Sequence, residues 1–81
     1  MEREFYQLHE LSEGDQNILN KVIASFNKWR RNYKLGFAIY RWPGVNNLYY
    51  IDFDVYKDGV IFARCQRNHI QHSHITQVMK C

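Results

Sequence analysis

The residues best suited to chemistry lie in the second half of this 81-residue chain. Asp52 and Asp54 stand two apart in an alternating run, so on a strand they point to one side, as paired carboxylates do in acid–base work. Further on, His69-x-x-His72-x-His74, with Cys81 beyond, offers imidazoles and a thiolate suited to zinc or copper. In an extended segment His72 and His74 share a side and His69 takes the other, a spacing that matches no standard zinc module. The three histidines are therefore weak metal candidates beside the plainer reading of a solvated polar loop. The carboxylates have a plainer reading too, because the expected hairpin register places Arg64 across from Asp52 as an ion pair. No Gly-rich phosphate loop, Ser/His/Asp order or nucleophile elbow is present. The expectation is a protein that is not an enzyme and needs neither metal nor cofactor.

Cys65 and Cys81 are the two cysteines, and they fit one disulfide, two free thiols or metal ligands. A bridge would contribute roughly 3 kcal/mol by the chain-entropy argument. A bridged pair implies a secreted protein, and free thiols imply a cytoplasmic one.

The elements that must position these groups are readable from periodicity. Tyr49, Ile51, Phe53 and Val55 alternate with polar or aromatic neighbours, and Val60–Gln66 answers them after Lys57-Asp58-Gly59. A two-residue Asp58-Gly59 loop mixes the faces. A three-residue Lys57-Asp58-Gly59 loop with Gly59 left-handed separates them, placing Ile61, Ala63 and Cys65 on the apolar side. The second register is expected.

Upstream, Ser12-x-x-Asp15 reads as a capping box opening an amphipathic helix. Ile18, Leu19, Val22, Ile23, Phe26, Trp29 and Tyr33 form its apolar stripe. Phe37–Trp42 is a short strand broken by the turn chemistry of Pro43-Gly44 and Asn46-Asn47. Ile75–Lys80 is a candidate last strand. The chain thus reads as one domain (1–81), with an arm over 1–11, a helix over 12–34 and an antiparallel sheet over 36–81. Packing the stripe on the apolar sheet face gives an α+β fold, one long amphipathic helix on a three- to four-stranded antiparallel sheet.

Composition is 46% hydrophobic and 16% aromatic, which excludes disorder, and no apolar run is long enough to span a membrane. No membrane partner is expected. The net charge of +3 comes mainly from Lys28, Arg30, Arg31 and Lys34 at the end of the helix, where cations suit the helix dipole. With Arg41 they also make a candidate phosphate-binding set.

The run Asn47-Leu48-Tyr49-Tyr50-Ile51-Asp52-Phe53-Asp54-Val55 resembles the Asn-Tyr strand that follows the first loop of the cystatin superfamily. Tyr56-Lys57-Asp58-Gly59-Val60 through Arg64-Cys65 resembles the Lys-Asp-Gly to Arg-Cys stretch of its cathelin-like branch. The resemblance implies a helix gripped by an antiparallel sheet, and Cys81 falls where that branch places the partner of a strand-to-strand disulfide. It also implies a cysteine-protease inhibitor or a relative that has lost inhibition. The inhibitory Gln-x-Val-x-Gly loop is replaced here by Arg41-Trp42-Pro43-Gly44-Val45.

The functional expectation is a domain that binds another protein through Tyr40, Trp42, Pro43, Gly44 and Val45, because aromatic residues on a rigid turn are good anchors. The alternatives are a nucleic-acid-binding module and a small inhibitor of a host or microbial protein factor. Tyr50, Tyr56 and Phe62, joined by Tyr40 and Trp42, are expected on the outer sheet face. An exposed last strand would allow a monomer or an edge-paired homodimer.

Overall fold

A computed structural model describes residues 2–72, His72 by its backbone alone. The candidate last strand Ile75–Lys80, His74 and Cys81 lie outside the described residues, and with Cys81 so does the Cys65–Cys81 pairing. The element order is β1 (Glu4–Tyr6), a 3-10 turn (Leu8–Glu10), α1 (Glu13–Trp29), β2 (Lys34–Arg41), β3 (Tyr49–Lys57), β4 (Val60–His69) and a second 3-10 turn (Ile70–His72). The strands form one antiparallel sheet in the order β1-β2-β3-β4. The fold is α+β, one helix on a four-stranded sheet, and the fourth strand comes from the arm.

Helix α1 starts as its sequence dictates, with the Ser12 hydroxyl accepting from the Asp15 N–H at 3.2 Å. It ends earlier than Tyr33. The Arg30 N–H donates to the Phe26 carbonyl at 2.8 Å, and Arg30 itself leaves helical geometry at φ −123°, ψ 60°. A turn then brings the Tyr33 N–H to the Arg30 carbonyl. Lys34, expected at the helix end, is instead the first residue of β2, opposite Tyr56. Sheet pairing has overridden helical periodicity there. Gly36 lies within β2.

Leu19, Val22 and Phe26 are the fully buried part of the stripe, and they pack on Ile39, Ile51, Phe53, Val55 and Cys65. Leu11 and Ile70 close the core at one end. Trp29, also on the stripe, is 68% exposed.

The β3–β4 hairpin corrects the expected loop and keeps most of the expected faces. Its loop is the two residues Asp58 and Gly59, with φ 54° and 79°, the paired left-handed geometry of a two-residue hairpin turn. Lys57 faces Val60 and Tyr56 faces Ile61, but Val55 faces Ala63, so Phe62 is an extra residue in β4. That bulge shifts the parity that a two-residue loop would have left mixed. Phe53 therefore meets Cys65 on the core side. Ile61 falls before the bulge and is exposed rather than in the core. Arg64 pairs with Asp54 at 3.0 Å, not with Asp52.

A second irregularity lies between Phe53↔Cys65 and Ile51↔Asn68, opposite Asp52. There Arg67 adopts φ 61°, a left-handed conformation that costs a non-glycine residue about 1–2 kcal/mol.

Candidate functional site

The two ends of the sheet carry different chemistry. The loop end gathers the β2–β3 turn, the arm and the end of β4. The hairpin end gathers the helix C-terminus, the start of β2 and the β3–β4 tip.

At the loop end, Pro43 and Gly44 are the middle of a tight turn closed by the Val45 N–H donating to the Trp42 carbonyl at 3.1 Å. Gly44 has φ 85°, the sign that a Pro-Gly turn of this type requires at its third position. Trp42 and Pro43 are half-buried, and Gly44 and Val45 are exposed. The Leu48 N–H donates to Asn46 Oδ1 at 3.0 Å, and Asn46 Nδ2 donates to the Tyr50 hydroxyl at 3.1 Å, pinning the far side of the loop.

Tyr40, expected as a contact residue, is 1% exposed. It lies beneath the surface, stacked on Tyr50 at 5.7 Å and edge-on to Trp42 at 6.1 Å. Its phenol donates to Asp52 Oδ1 at 2.8 Å, diagonally across the β2–β3 pair. The same oxygen accepts the Arg67 N–H at 2.8 Å, which accounts for the left-handed Arg67. Burial, then the hydrogen bond to Asp52, pushes the Tyr40 phenol up to about 12.

Above Tyr40 lies Arg3 of the arm. Its guanidinium sits 4.8 Å from the Tyr40 ring centre, 5.2 Å from Phe5 and 5.6 Å from Trp42, and 3.7 Å from Asp52 Oδ2. On the helix side, Arg41 lies between the rings of Tyr6 and Tyr49 and pairs with Glu4 at 3.5 Å. Among the described residues its buried Nε has no hydrogen-bond partner. Arg41 is thus at the opposite end from the rest of the candidate phosphate set.

At the hairpin end the chain neighbours Lys28, Arg30, Arg31 and Lys34 run from the last turn of α1 to the first residue of β2, and Lys57 closes β3. Arg30 and Lys57 lie 5.3 and 5.4 Å from the Tyr33 ring, and Lys28 lies 5.3 Å from Trp29. Phe62 meets Tyr33 edge-on at 5.2 Å rather than lining the outer face with Tyr50 and Tyr56. Val60, Ile61, Phe62 and Trp29 are all exposed here.

The two carboxylates do not form an acid–base pair: Asp54 is engaged by Arg64, and Asp52 by Tyr40, Arg67 and Arg3. His69 packs edge-on against Tyr50 at 4.8 Å. Among the described residues no three His, Cys, Asp or Glu side chains converge as a metal site, and no helix is long and apolar enough to cross a membrane.

The residues that sequence reasoning missed are Arg3, Phe5 and Lys57. Arg3-x-Phe5 alternates just as Tyr40-x-Trp42 does, and that matching period was the available signal. Nothing in the sequence aligned one run with the other.

No family model, no curated protein and no solved structure matches this chain. What the fold and its surfaces define is a small α+β domain with an aromatic turn at one end and a basic, apolar tip at the other.

Proposed function

We propose that this domain works by binding another protein, without catalysing a reaction, and that the loop end makes the contact. The observation that carries the reading is the construction of that end. A Pro-Gly turn with exposed Val45 is fixed on buried Tyr40 and the half-buried rings of Tyr50 and Trp42, so its tip is presented without a large ordering cost on binding. Exposed Phe5 on β1 and Leu48 flank it. We read the domain as a cystatin-like relative because a helix on an antiparallel sheet is what that resemblance implies. Replacement of the Gln-Val loop motif favours a relative that binds a different partner over a papain-family inhibitor.

A photo-crosslinking residue at Val45 or at Asp58, in cells that express the chain, tests the reading. A discrete protein adduct from Val45, lost on Trp42→Ala, is expected. Protein adducts from Asp58 alone would overturn it. Inhibition of a papain-like protease that disappears on Trp42→Ala would restore the inhibitor reading.

A second reading is favoured by one observation, Lys28 against exposed Trp29 and Arg30 and Lys57 against Tyr33, whose ring meets exposed Phe62. Cations interleaved with rings suit single-stranded nucleic acid. Binding of a single-stranded oligonucleotide that falls steeply with salt would support this reading, and salt-independent or absent binding would remove it.

A further inference from the structure

We propose that Tyr40, Trp42 and Asp52 form a guanidinium-binding pocket, filled within the chain by Arg3 and open to an arginine on a partner's extended segment that displaces the Arg3–Tyr6 arm. This deepens the protein-binding reading, on which it rests, by naming the chemistry of the partner.

The pocket has the parts that such a ligand needs. Tyr40, Trp42 and Phe5 lie within the roughly 6 Å over which a ring attracts a cation. Asp52 is set in place without help from Arg3. Its Oδ1 takes hydrogen bonds from Tyr40 and from the Arg67 N–H, which leaves Oδ2 directed at the cation. A planar guanidinium stacks on a ring and meets a carboxylate together, which an ammonium does less well. Gly36 and Ala38, the small residues opposite Asp54 and Asp52, extend the pocket as a shallow trough along the outer face.

The present occupant is paired to the sheet over a short stretch. Strand β1 pairs with β2 over only three residues, Arg41 to Ile39, and Phe5 is 60% exposed. At Gln7 the arm leaves the sheet edge for the 3-10 turn, and a groove opens between Gln7, Leu8 and Phe37–Ile39. Among the described residues, Lys34–Ala38 have no strand partner on that side. A segment that repeats the Arg-x-Phe pattern but stays extended would keep every arm contact and add pairing down the rest of β2. Strand addition of this kind supplies main-chain hydrogen bonds, and the pocket supplies the selection for arginine.

The test uses the full chain and a synthetic peptide, Glu-Arg-Glu-Phe-Tyr-Thr-Val-Thr-Val-Glu, titrated by NMR or calorimetry. Arg3→Ala empties the pocket by truncating an exposed arm side chain, so the fold is expected to survive. The peptide is expected to bind Arg3→Ala at least tenfold more tightly than the parent chain. A peptide with its arginine replaced by alanine should lose at least tenfold on either protein, and Asp52→Asn should weaken binding of the arginine peptide. Equal affinity for parent and Arg3→Ala, no binding to either, or no dependence on the peptide's arginine would overturn the proposal. Because the peptide needs no cellular partner, a failure here is separate from failure of the Val45 cross-link. If Asp52→Asn does not fold, the comparison of the two peptides on Arg3→Ala still decides.

Discussion

Two aspartates on the same face of β3 show how differently the ends of this sheet are built. Asp52 is engaged by Tyr40, the Arg67 N–H and Arg3, so one carboxylate ties β2, β4 and the arm to β3. Among the described residues, Asp54, one pleat repeat nearer the hairpin tip, is paired with the half-exposed Arg64. The loop end is therefore an interlocked layer of rings around a carboxylate. The hairpin end is a set of exposed apolar side chains among cations that rest on two rings. The contrast separates two uses of aromatic residues, rigid support for a presented turn and adaptable cover at a tip. The number of anchoring contacts, rather than the number of aromatics, distinguishes them.

Breaking the comparison should begin with the carboxylates. Asp52→Ala is expected to destabilise the fold by about 2–3 kcal/mol, since it removes hydrogen bonds to a charged group and leaves the Tyr40 phenol buried without its acceptor. Asp54→Ala should cost at most about 1 kcal/mol, as an exposed ion pair does. Chemical denaturation of both variants checks the difference, and equal costs would remove the distinction between the ends.

The hairpin tip should respond next. Gly59→Ala places a side chain at φ 79° and is expected to cost about 1 kcal/mol, readable as a lower denaturation midpoint. It should leave the loop-end rings unshifted by NMR.

Alkaline pH sharpens the contrast further. The folded state holds the Tyr40 proton more tightly than the unfolded state, because its phenol is raised from 10.0 to about 12. Its contribution is therefore complete below about pH 10 and declines as pH rises towards about 12. Tyr40→Phe should flatten that decline in a denaturation series run across this range.

The smallest expected effect is at Arg67. Arg67→Gly relieves the left-handed strain but adds freedom to the unfolded chain, so a gain of a few tenths of a kcal/mol in denaturation is expected.

The legible parts of this protein were the local ones. Ser12 capped α1, and Leu19, Val22 and Phe26 fell on its buried face, because helix phase is fixed by residues three and four apart. The alternation of Tyr49, Ile51, Phe53 and Val55 placed Ile51, Phe53 and Val55 in the core for the same kind of reason. The Lys28–Lys34 cations could be grouped because they are neighbours in the chain. The hairpin loop was misjudged because face separation was assigned to the turn, whereas a bulge at Phe62 supplies it. Tyr40 was misplaced because its burial comes from Arg3, Phe5 and Trp42, two of which belong to an arm with no readable period.

By itself, then, the sequence determined the start and phase of the helix, the presence of the β3–β4 hairpin and the side of β3 that faces the core, since those follow from periods of a few residues. Tertiary structure alone decided that Glu4–Tyr6 becomes a strand, that Arg41 and the helix-end cations lie at opposite ends, and that Asp52 rather than Asp54 gathers the partners. Each of those outcomes depends on pairing between segments distant in the chain. Strand pairing is settled by the summed burial and hydrogen bonding of the assembled sheet, which no local window contains.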